Sequence, residues 1–180
     1  THSAASAAAI RALVGAGMPR NAYFASNVML AIEAVLSHLN HFYLSFVPDL
    51  AEDSDEEGSA RRFLPMAGGS FARALREREG ILGVLGLFAG KWPNSLAIQP
   101  GGTTRPVEAS EIRRAHGLLS EYQKFIEEQV IGCELDGWLE LASASDLERW
   151  MGEGSHSASD LGVFVGVSLK RGLDKIGKWP

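Results

Sequence analysis

Apolar residues recur along this chain at intervals of three and four positions almost from end to end, the period of a helix that buries one side. From Ser3 to Val14 the spacing is carried by Ala7, Ile10, Leu13 and Val14, and Gly15, Gly17 and Pro19 stop it. A longer segment, Asn21 to about Phe46, is nearly all apolar, with Glu33 as its one carboxylate. Phe24, Val28, Ala31, Val35, His38 and Phe42 descend one side of it and predict its buried face, while Pro48 predicts its end. A third helix spans Ser70 to about Ala89, charged in its first half and apolar in its second. Its glycines at 80, 83, 86 and 90 each weaken a helix by roughly 1 kcal/mol relative to alanine, so close packing against a neighbour is expected to offset them. Residues 107–131 read as a fourth helix with Ile112, Ala115, Leu119, Tyr122, Ile126 and Val130 inward. Shorter helices follow near 135–142 and 145–152, and a last one runs from about Ser159 to Ile176.

No stretch alternates convincingly with the period of a strand, and no internal repeat is visible. Two connections differ from the rest. "LAEDSDEEGSARR" packs five carboxylates among small residues, which marks 51–62 as an acidic flexible loop. "KWPNSLAIQPGGTTRP" holds three prolines and two glycines in 16 residues and reads as a structured, largely extended loop. The expectation is therefore an all-α fold, an antiparallel helical bundle forming one domain over 1–180, with Phe42, Leu85, Leu119 and Tyr122 in one core.

Composition narrows the function classes. With 180 residues, 46% of them apolar and 22% charged, the chain is long enough for a sizeable core. A net charge of −5 with scattered Lys and Arg gives no footprint for nucleic acid. No uninterrupted apolar run approaches the roughly 20 residues of a membrane-crossing helix, and the start lacks the basic segment of a signal peptide. The chain is thus expected to be cytoplasmic, without a transmembrane segment, and the missing initiator Met suggests a piece of a longer protein.

Candidate chemistry is sparse. His38 and His41 stand three residues apart in "SHLNHFY", a spacing that puts both on one side of a helix, but two imidazoles are too few for a metal site and no Glu-x-x-His pattern completes it. Cys133 is the only cysteine, which excludes an internal disulfide and any multi-thiolate site built from this chain alone. It has no neighbouring His or Lys in sequence and reads as a packed helix-end residue. "PGGTT" is not a phosphate loop, since no Gly-Lys-Ser/Thr follows it, and "MAGGSFARAL" lacks the spacing of a nucleotide fingerprint.

Taken in order, "THSAASAAAIRAL", "LSHLNHFYLSFVPD", "AGKWPNS", "PGGTT" and the helix ending "YQKFIEEQV" resemble the nickel-iron hydrogenase large subunit over about residues 1–131. The resemblance implies that His2, Ser3, Ser37, His38, His41, Lys91, Pro93, Pro100, Gly101 and Gly102 line the cavity that faces the cofactor in that family. It also implies thiolates that are absent here, because the family holds its metals with two cysteine pairs outside the matched stretches. Two further departures lie inside the chain. Ser37 stands where the family has an aspartate, and Asn94 where it has a histidine. A hydroxyl and an amide carry no charge there.

Lost polar groups with retained packing positions are similar to the large-subunit-like accessory proteins of hydrogenase maturation, and "ELDGWLELASASDLERW" looks closer to those than to the catalytic subunit. The expected function is a scaffold or chaperone in metallocentre assembly. Its partners would be a hydrogenase subunit or maturation proteins. No cofactor is expected in this chain alone, although a nickel-iron centre or its iron precursor is compatible with a full-length protein. The alternatives are a core fragment of a divergent catalytic or hydrogen-sensing large subunit, and an unrelated helical interaction domain.

Overall fold

The computed structural model describes residues 2–52 and 59–177, and helices dominate them. Helix α1 (His2–Val14) is followed by α2 (Arg20–His41), which continues without a break through a π-helical turn, Phe42–Phe46, into α3 (Val47–Glu52). A 3-10 turn, Ser59–Phe63, leads to α4 (Gly69–Ala89). Strands β1 (Ile98–Gln99) and β2 (Gly102–Thr103) form an antiparallel hairpin. Helix α5 (Ala109–Phe125) runs on as a second π-helical turn, Ile126–Ile131. The chain closes with α6 (Leu135–Leu139), α7 (Ala144–Gly152), a 3-10 turn at His156–Ala158, α8 (Asp160–Lys170) and a 3-10 turn at Leu173–Lys175. The all-α expectation holds. Of the acidic loop, 53–58 lie outside the described residues, whereas 51 and 52 belong to α3 and 59–62 to the 3-10 turn.

The chain groups into two compact units interleaved in sequence. Unit one comprises 1–39 and 77–120, and unit two 40–76 and 121–180. Unit one buries Met29, Ile32 and Leu36 of α2 with Ile81, Val84, Leu85 and Phe88 of α4, Ala97 before β1, and Ala115 of α5. Unit two buries Tyr43, Val47, Leu50, Phe63, Phe71, Tyr122, Phe125, Trp150, Val163 and Val167. Of the four residues expected in one core, Phe42, Leu85, Leu119 and Tyr122, only Leu85 and Tyr122 are buried. Leu85 is in the first unit's core, Leu119 is 38% exposed, and Tyr122 is in the second unit's core with Phe42 half-buried.

The face of α2 is the clearest correction. Its buried positions are Ala22, Ala25, Ser26, Met29, Ile32 and Leu36, whereas Phe24, Ala31, Val35 and His38 are exposed and Val28 half-buried. A helix apolar on most of its circumference has a period but no unique inward side, and here the smaller residues let neighbouring backbones approach. Pro48 does not end the helix either. Val47 N–H reaches back five residues to the Phe42 carbonyl, and this widened turn accommodates a proline that has no N–H to give. The resulting helical run, Arg20–Ala51, has a window of mean hydropathy 1.3 and is long and apolar enough to cross a membrane by length and composition, which amends the sequence reading.

The glycines of α4 also differ from expectation. Of the expected contact face, only Gly83 is close to a neighbour, with Leu118 of α5 at 3.4 Å from where a Cβ would stand. Gly80 and Gly86 face open space, and Gly90, at φ +77°, terminates the helix in the left-handed conformation. The short hairpin was not legible as a strand pattern. It arises from its turn, in which Pro100 presets φ and Gly101 takes φ +90° between Gln99 and Gly102.

These glycine environments predict opposite substitution effects. A Cβ on Gly162 would overlap the His156 carbonyl and crowd the Ser157 backbone, whereas one on Gly80 meets nothing within 4 Å. Gly162→Ala is expected to destabilise by about 1–3 kcal/mol through overpacking, and Gly80→Ala to stabilise by about 0.5–1 kcal/mol through helix propensity. Urea titrations of both variants decide it; equal effects would contradict the packing described around Gly162.

Candidate functional site

The most polar point of the described interior is a carboxylate. Asp160, the first residue of α8, is 0% exposed. Its Oδ2 accepts from Tyr43 Oη at 2.6 Å and from Gln129 Nε2 at 2.9 Å, and its Oδ1 from Ser70 Oγ at 2.8 Å and from Arg62 Nη1 at 3.2 Å. Arg62 Nη1 also donates to the Ala158 carbonyl at 2.8 Å. The two donors on Oδ2 both come from π-helical turns, Phe42–Phe46 and Ile126–Ile131, while those on Oδ1 come from the 3-10 turn and the start of α4. Burial first, then the charge of Asp160, holds the Tyr43 hydroxyl protonated well above the ordinary tyrosine range.

Local capping sets the carboxylate in place. Ser159 is the N-cap of α8, its Oγ accepting from Gly162 N–H at 3.0 Å and donating to the His156 carbonyl at 2.6 Å. Four donors on two oxygens make this an anchor that joins five segments of unit two. No cavity opens on it among those described, so it reads as architecture and not as a reacting group. The sequence pattern did not point to Asp160, Arg62, Ser70 or Gln129. An Asp after Ser at a helix start is also the ordinary signature of a cap, which masked its burial.

The residues implied by the resemblance fall in several places. In unit one, Ser3 lines a small cavity of about 30 Å³ together with Ala4, Met29 and Glu33, Leu85, and Trp92, Ser95 and Ile98 of the 91–98 stretch. Ser95 is fixed there, its Oγ donating to the Ala89 carbonyl at 3.2 Å and accepting from Ala97 N–H at 3.0 Å. Gly101 and Gly102 line a larger groove of about 660 Å³ with Phe24, Val28, Phe88 and Ile112. His2, Ser37, His38, Lys91, Pro93 and Pro100 are exposed and line neither. In unit two, His41 is exposed and its ring lies 4.6 Å from that of Phe46. The large groove was missed because Phe24 and Ile112 were read as core.

Cys133 borders a third groove, about 370 Å³, with Glu134, Glu140, Arg149, Glu153 and His156. Behind it Trp150 packs edge-on to Trp138 at 5.1 Å and stacks on His156 at 5.4 Å, whose Nδ1 lies 2.9 Å from the Trp150 carbonyl oxygen. Among the described residues no three His, Cys, Asp or Glu side chains are grouped so that they could hold a metal ion. The donor set of these 180 residues, with its single thiol, does not fit a nickel-iron centre, whose soft metals take several thiolates. Compared with known protein families, the chain matches no family model.

The carboxylate anchor makes a quantitative prediction. Asp160→Ala leaves the Arg62 charge and three other donors without their acceptor, and is expected to cost about 3–5 kcal/mol. Tyr43→Phe removes one donor and is expected to cost about 1–3 kcal/mol. Denaturant unfolding followed by tryptophan fluorescence measures both, and losses below about 0.5 kcal/mol in each would show that the network does not hold the unit together.

Proposed function

We propose that this chain is a large-subunit-like accessory protein of nickel-iron hydrogenases, working as a scaffold in metallocentre assembly and not as a hydrogenase. The observation that carries the reading is the small cavity of unit one. Ser3 from the "THS" stretch meets Trp92 and Ser95 of "KWPNS" there, against Met29 and Glu33 of the helix that runs into "SHLNHFY". Two of the five matched stretches, "THSAASAAAIRAL" and "AGKWPNS", thus contribute to one cavity, which supports the reading. The helical architecture supports the same reading.

The donor set separates an accessory role from the catalytic alternative. One thiol and exposed imidazoles cannot supply the ligands of a bimetallic centre, and Ser37 and Asn94 replace the charged or titrating groups of the family at positions within the chain. What remains suits transient contact. His38 and His41 are both exposed and accessible to a maturation partner or to an iron fragment in transit.

Purified chain is accordingly expected to retain no stoichiometric nickel after chelation and to reduce no dye under dihydrogen; either activity would overturn the accessory reading. In a strain deleted for the native gene, His38→Ala and His41→Ala are expected to lower hydrogenase activity while changing stability by about 1 kcal/mol or less. Full activity at normal protein levels would leave these histidines without a part in maturation, and a large fall in melting temperature would assign any defect to unfolding.

A further inference from the structure

The large groove of unit one joins an open strand edge to an apolar trough and a cationic rim, three features that select the same kind of partner. The hairpin has a two-residue turn, so Gln99 and Gly102 form its first hydrogen-bonded pair, and Thr104 N–H donates to the Ala97 carbonyl at 2.9 Å in the next. In an antiparallel ladder the intervening pair, Ile98 and Thr103, then turns its backbone N–H and C=O outward. Helix α1 packs against β1, whereas Gly102, Thr103 and Thr104 line the groove. The outward backbone of Thr103 is therefore an unpaired edge beside a cavity.

The trough beside that edge is apolar and only part-covered. Phe24 is 51% and Ile112 52% exposed, and Val28, Phe88 and Pro106 line the same groove. Charge is one-sided around it. Arg20 stacks 5.3 Å over the Phe24 ring and Arg105 lines the groove. The nearby carboxylates are Glu111, already engaged by Arg105 at 2.6 Å, and Glu108. No carboxylate lines the groove itself. Unit one carries a net charge of +2 within a chain of −5.

From these features we infer that the groove is a docking site for an extended acidic segment of a partner protein. The segment pairs its backbone with Thr103, sets alternate apolar side chains between Phe24 and Ile112, and places its carboxylates toward Arg20 and Arg105. The inference uses nothing of the hydrogenase reading and stands or falls apart from it.

A displayed library of random octapeptides, selected on the purified chain, tests this. Enriched sequences are expected to alternate apolar with acidic residues. A synthetic peptide of the consensus should lose roughly tenfold or more in affinity against Phe24→Glu, against Ile112→Glu and against Thr103→Pro, whose outward N–H is the group removed. It should also weaken several-fold as salt rises from about 0.05 to 0.5 M. Circular dichroism melts of the variants establish that they are folded; Thr103→Ser, which keeps the N–H, should bind as the parent does. Failure to enrich any family, enrichment of basic or proline-rich sequences, or equal binding to the Phe24→Glu and Ile112→Glu variants overturns the proposal. So does a concentration-dependent dimer that these two substitutions dissociate, since the occupant would then be a second copy.

Discussion

A buried carboxylate organises the second unit. Removing Asp160 from water costs several kcal/mol before any partner is counted, and only donors converging from all sides offset that cost. Tyr43, Gln129, Ser70 and Arg62 supply them from segments far apart in sequence. Such a requirement is directional where apolar packing is not, because each donor must arrive at a set distance and angle. The two π-helical turns gain a reason here. Each widens a helix at the point where it delivers a side chain, Tyr43 from one and Gln129 from the other, to the same oxygen.

The first unit is organised differently. Its buried face on α2 is made of alanines, a serine and unbranched or aliphatic residues, so its neighbours lie close, and the large Phe24 is left at the surface. That exchange explains the groove. A bulky side chain that the core does not need stands beside a hairpin whose outer edge has no strand to pair with, and the aliphatic Ile112 completes the trough. The cavity bounded by Ser3, Glu33 and Trp92 is of a size for water, too small for a substrate.

Much of the fold was legible along the chain. The bounds of α1, α4 and α5 lie close to where periodicity and the glycine and proline stops put them, because spacing and breaker residues act locally. The likeness to a hydrogenase large subunit is a proposal that rests on the order of short stretches. The candidate site was less legible. Of the residues it implied, Ser3 borders one cavity and Gly101 and Gly102 another, while His38 and His41 lie exposed.

The sequence by itself determined that the chain is helical, where most helices begin and end, and that one thiol cannot build a multi-thiolate metal site. These follow from local propensity and from counting. Which side of α2 faces inward, that Pro48 is absorbed by a π turn, and that Asp160 is an interior anchor instead of an exposed cap were decided only by tertiary structure. A helix apolar on most sides has several nearly equivalent ways to pack, and a carboxylate at a helix start serves equally in water or in the interior. The choice between them lies in groups that approach from elsewhere in the chain, and no local pattern encodes that approach.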